Sequence, residues 1–246
     1  MITEIADPNG AANSRFVELF SPNAAGTTIT EALYLIRWTN ADTAFSSSYS
    51  LQGKTIGSDG FLVGCHNQAS AEADYGASAC DFYSSEAVFD SNGDDNIALV
   101  LGDPSVSYTI IDMFGVAGED GTGTAHEFED GRAERANGVT LPQATWTATE
   151  WNVYSDSGTS IAGVSGSAQA TGPSGCDPRV WIGAPPSRLV PLSARDAAAH
   201  LASDAYARAA AAERMLRSVR CVRVSQGALP RSRPPAAVVA SRRAAR

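Results

Sequence analysis

The first 155 residues divide into short apolar runs separated by turn-forming residues. Ile2-Thr-Glu-Ile5 sets two apolar residues around two polar ones and reads as a strand. Asp7-Pro-Asn-Gly10 follows as a turn and loop. Arg15 to Phe20 predicts a second strand, with Val17 and Leu19 on one face and Phe16, Glu18 and Phe20 on the other. Leu33 to Thr39 predicts a third with apolar residues on both faces, as a covered sheet requires. The runs YSLQGKTI (49–56) and GFLVGC (60–65), separated by GSDG, suggest a hairpin. EAVF (86–89), the turn DSNGDDN (90–96), IALVLG (97–102) and YTIIDMFG (108–115) continue the series.

This spacing of runs and turns predicts an all-β sandwich or barrel. No stretch of the body has a helical period of useful length. Trp146 and Trp151 are expected as core or lid packing rather than as ligand-stacking groups. CDPRVWIGAPP (176–186) reads as a closing strand anchored by Trp181 and Ile182, after a Ser/Gly/Thr-rich surface loop over 156–175.

Composition changes near Ser187, dividing a body of 1–184 from a tail of 185–246 rich in Ala, Arg and Pro. The tail predicts a helix over about 193–222, marginal because its apolar side is mostly alanine, then disorder. Charge divides the same way. Residues 1–182 hold 24 acidic against six basic residues, whereas residues 183–246 hold 12 arginines against three acids. Such an acidic body repels nucleic acid and anionic membrane, and suits extracellular or salty surroundings or cation binding.

Four cysteines are present and none is in a CxxC pair, which argues against zinc. Cys65 and Cys80 flank one loop; they are either a disulfide in an oxidising compartment or two reduced thiols. No apolar run is long enough for a membrane span. Strand-like residues follow Met1 directly, without a signal peptide. The expected location is intracellular, or extracellular or at the cell surface if the true start lies upstream.

The densest chemistry lies in GEDGTGTAHEFEDGRAER (118–135), with six carboxylates, His126 and two arginines. A hydrolase would use His126 with nearby carboxylates, but no GxSxG elbow accompanies it; the expectation is a loop histidine bonded to backbone. Glu119 and Asp120 would repel phosphate from the glycines. Hard cations suit acidic, Gly-rich loops better. Asp90, Asn92 and Asp94 match the opening of an EF-hand, yet the glycine falls at Gly93 and Leu101 stands where the bidentate Glu belongs. A looser calcium site from Asp90, Asn92, Asp94 and Asp120 is the alternative to a tight hairpin turn with solvated acids, which is favoured. Arg132 and Arg135 beside Glu129 and Asp130 predict a structural clamp ordering the loop. No other cofactor and no catalytic residue are expected.

Seven segments together resemble the lamin-tail domain in its form outside nuclear lamins. They are ITEIADPNGAANSRFVELFSP, LYLIRWTN, GFLVG, NGDDNIALV, IIDMFGVAGEDGTG, HEFEDGRAERANG and EWNVYSD, with CDPRVWIGA at the end. The resemblance covers about residues 1–184 and rests on order and spacing rather than on one motif. It implies an immunoglobulin-like β-sandwich that is not an enzyme. Its implied role is an interaction or adhesion module, or an accessory domain of a nuclease or phosphoesterase whose catalytic domain lies elsewhere. The partner expected is a protein or a cell surface. The chain has no heptad rod, and its terminus RAAR is not a prenylation box, so filament assembly does not carry over.

Overall fold

The computed structural model describes residues 1–156, 172–181 and 183. It divides the chain into two units, Met1–Val190 and Pro191–Arg246. The predicted tail helix, Ile182 and most of the 156–175 loop lie outside the described residues.

The first unit is an all-β sandwich. Its strands are β1 (Ile2–Ala6), β2 (Phe16–Phe20), β3 (Leu33–Trp38), β4 (Ser47–Ser50), β5 (Phe61–Cys65), β6 (Phe82–Tyr83), β7 (Asn96–Leu101), β8 (Thr109–Phe114), β9 (Arg132–Arg135) and β10 (Trp151–Tyr154). One sheet runs β10-β9-β1-β2-β5-β6 and the other β4-β3-β7-β8. All pairs are antiparallel except β5 with β6.

The apolar alternation accounts for the layering. Val17, Leu19 and Leu62 of one sheet meet Leu35, Ile97, Leu99 and Phe114 of the other in the central core. Phe16, Phe20, Phe61 and Val63 point the opposite way and form a second cluster on the outer face of the six-stranded sheet. Ile36, Trp38, Ala98 and Val100 form a third cluster, from the other side of β3 and β7. Both faces of β2 and β3 are therefore buried, as their sequences require. Ile2 and Ile5 both reach the central core although three residues apart, because a bulge lies between Ile2 and Glu4.

Four local expectations are corrected. The 49–56 and 60–65 runs are not a hairpin: β4 pairs with β3, and β5 with β2 in the other sheet. The loop between Cys65 and Cys80 contains a helix, α1 (Gln68–Tyr75). Asn67 caps it, its side chain accepting from Ser70 N at 3.1 Å, and Tyr75 packs edge-on against Phe16. EAVF is a 3-10 turn, so DSNGDDN joins a turn to β7 and closes no hairpin. None of the described residues of 176–186 forms a strand. Residues 172–181 make a strap against the outer face of the six-stranded sheet, where Cys176 and Trp181 are buried.

Candidate functional site

Gly115 to Gly131 connects β8 to β9 across the sandwich and returns along the turn before β7. Gly121 N donates to Asp94 O at 2.9 Å and Phe128 N to Gly93 O at 2.8 Å. Asn96, fully buried, accepts from Val116 N and donates to Glu119 O and Asn40 O. Phe128 plugs the central core. Backbone contacts and one asparagine therefore order the acidic loop, whereas the sequence suggested arginines.

The arginines serve other partners. Arg132 faces Glu4 at 3.3 Å and Glu134 at 3.8 Å, and Arg135 faces Asp112 at 2.6 Å and Glu150 at 3.1 Å. Neither is paired with Glu129 or Asp130. Asp130 instead donates its backbone N–H to Asp7. Arg15, Arg37 and Arg179 are likewise paired, with Asp7 and Asp90, with Asp95, and with Asp59 and Asp81.

The four calcium candidates do not converge. Asp90 is drawn to Arg15 at 2.6 Å, and Asn92 is exposed. Asp94 and Asp120 share the amide of Asn40, at 2.8 and 3.5 Å. The expected solvated turn is also corrected: Asp95 is fully buried on Arg37 and Asp94 is half-buried. Glu127, Glu129 and Asp156 converge instead, each offering an oxygen within 4.8 Å of the others. Glu127 is buried and accepts from Gly123 N at 2.7 Å, while Glu129 and Asp156 are exposed. Partial desolvation, followed by repulsion from Asp156 and Glu127, raises the Glu129 carboxyl. Three carboxylates in such an arrangement are the donors a hard cation takes. The alternation around buried Phe128 could have singled out Glu127 and Glu129; Asp156 arrives only through β9–β10 pairing.

His126 is 1% exposed and packs against Phe114 and Trp146. Its Nδ1 lies 2.9 Å from Thr124 Oγ1, and among the described residues no group meets Nε2. Burial lowers its pKa against the pull of Glu119 and Asp120, favouring neutral imidazole. Trp151 is buried and Trp146 half-buried on the same cluster, so both tryptophans are packing groups. Cys65 and Cys80 form a disulfide, with Cα atoms 6.0 Å apart.

A second concentration of charge went unrecognised in the sequence. Glu134, Glu4 and Glu18 are direct cross-strand partners on β9, β1 and β2. All three are buried, beneath the strap. Glu18 stands between Phe16 and Phe20 on one strand face, which was the available signal.

Compared with known proteins, the chain matches no family model, no curated protein and no solved structure.

Proposed function

We propose that this sandwich is a non-catalytic interaction or adhesion module of lamin-tail, immunoglobulin-like type. It works outside the cell or at its surface and presents its acidic loop end to a basic partner. The observation that carries this reading is the disposition of charge. All five arginines of the described residues are paired with other carboxylates, and among the described residues no salt bridge reaches the exposed Glu119, Asp120, Glu129 and Asp156. A single-signed patch of this kind steers oppositely charged partners. The Cys65–Cys80 disulfide supports an oxidising compartment. The burial of His126 supports a packing role for the histidine rather than hydrolysis.

The test is binding of a lysine-rich peptide to the full chain by calorimetry, at low and high salt. Affinity falls with salt and weakens in Glu129→Gln/Asp156→Asn. The reading fails if the peptide does not bind, or if the purified chain hydrolyses a phosphodiester and loses that activity in His126→Ala.

A further inference from the structure

Three of the nine asparagines are followed by glycine: Asn9–Gly10, Asn92–Gly93 and Asn137–Gly138. Glycine carries no side chain, so its backbone nitrogen can approach the carboxamide of the residue before it. That pairing reacts without a catalyst. The glycine nitrogen gives its proton to water and bonds to the asparagine Cγ, and ammonia leaves. The cyclic succinimide so formed then takes up one water. Opening at the side-chain carbonyl yields aspartate, and opening at the main-chain carbonyl yields isoaspartate. The fold decides whether the peptide plane between the two residues can turn far enough to bring nitrogen and Cγ together.

The three sites differ in that freedom. Asn9 and Gly10 are both exposed, in the connection from β1 to β2. Ala11 N donates to Pro8 O at 3.0 Å to close the turn, and Gly10, at φ +71°, stands in open space. Asn137 and Gly138 are likewise exposed, in the turn after β9. Val139 N donates to Ala136 O at 3.3 Å to close it, and Gly138, at φ +89°, also stands in open space. A glycine of positive φ in third place is the type II pattern, and turning its peptide breaks a surface hydrogen bond. Gly93 is placed differently. It is buried, its carbonyl accepts from Phe128 N at 2.8 Å, and a Cβ on it would lie 2.2 Å from both Glu129 Cα and Glu129 N. Turning the Asn92–Gly93 peptide would drive it against the backbone of the acidic loop, so reaction there waits for that loop to open.

We infer that Asn9 and Asn137 are self-modifying positions of the folded protein, each converting in place to aspartate and isoaspartate, while the acidic loop protects Asn92. Each event turns a neutral amide into a carboxylate. The isoaspartyl product also lengthens the main chain of the turn by one carbon. At the first site Gly10 lines an open groove with Asp7, Asp74, Asp130 and Arg15, so the new carboxylate adds to a surface that is already acidic. Neither asparagine belongs to the buried core, so the sandwich stays folded as it gains charge.

The experiment is incubation of the full chain at mildly alkaline pH, folded and in urea, with each asparagine followed by peptide mapping and mass spectrometry. In the folded chain Asn9 and Asn137 convert at least about tenfold faster than Asn92; in urea the three converge to within about threefold, because opening of the loop no longer limits Asn92. A folded chain in which Asn92 keeps pace with the other two overturns the inference. So does one in which either Asn9 or Asn137 stays intact while urea converts it. An order that persists unchanged in urea overturns it as well, since local sequence rather than the fold would then set the rates. Anion exchange gives a second reading. Acidic species accumulate in the natural chain and are largely absent from Asn9→Gln/Asn137→Gln; equal accumulation in both assigns the new charge to other residues and overturns the two sites.

Discussion

Arg135 Nη2 lies 2.6 Å from both carboxylate oxygens of Asp112, and both side chains are completely buried. Arg135 belongs to the six-stranded sheet and Asp112 to the four-stranded sheet, so the pair joins the two layers. Asp112 also accepts from Ile2 N and Gln143 N, and Arg135 donates to Ile2 O and Glu150 while its guanidinium lies 4.1 Å over the Trp151 ring. A buried charge pair is tolerated when its remaining hydrogen-bonding positions are filled, and here they are.

Arg135→Met strands the Asp112 carboxylate in the core. The expected cost is about 3–5 kcal/mol at pH 8. The lone carboxyl then prefers its neutral form, so the loss shrinks at pH 5. Urea unfolding at the two pH values measures both; an equal loss at each would show that Asp112 keeps its charge without Arg135.

Gly93 is held at φ +98°, and a Cβ there would stand 2.2 Å from Glu129 Cα. The loop and the turn before β7 touch backbone to backbone at this point. Gly93→Ala is expected to cost more than about 3 kcal/mol, combining left-handed strain with displacement of the acidic loop. Thermal unfolding reads the cost, and exchange at the Phe128 amide, which donates to Gly93 O, reads the displacement.

The Cys65–Cys80 disulfide closes a loop of sequence separation 15 around α1. Reduction is expected to lower unfolding free energy by about 3 kcal/mol, through release of chain entropy in the unfolded state. Urea midpoints with and without a phosphine reductant test this. An unchanged midpoint would mean that packing of Ala71 and Tyr75 alone holds the helix.

His126 gives the fold a pH dependence of its own. Its folded pKa is depressed below 6.5, so the unfolded chain takes a proton that the folded chain declines. Stability is full above about 6.5 and falls as pH drops, by at most about 1.4 kcal/mol per pH unit. His126→Gln removes that slope between pH 7 and pH 5. Melting temperatures of the two chains should converge toward the acid side; a constant gap would assign the acid loss to other groups.

Much of the layering is legible along the chain. Phe16-Val-Glu-Leu-Phe20 separates into two faces on inspection, and those faces meet two different clusters. The helix at Gln68–Tyr75 escaped notice because only Ala71 of its eight residues is buried, leaving no apolar stripe of helical period. The calcium candidates belong to two acidic, glycine-bearing segments, whereas Asp156 joins Glu127 and Glu129 through pairing of β9 with β10. Arg132 and Arg135 point to opposite sides of β9, Arg135 into the core and Arg132 to the outer face, so neither can fold back on the acids just before it.

Alternation and turn residues alone settled that the body is built of short strands and that β2 and β3 are buried on both faces, because side-chain direction in a strand is a local property of period two. Partner choice among the charges belonged to the tertiary structure. Which carboxylate an arginine meets depends on which strands are neighbours and on what covers them, and both are set by contacts between residues far apart in the chain. Arg135 meets Asp112 across the sandwich, and Glu4, Glu18 and Glu134 become a row only once β1 lies between β2 and β9.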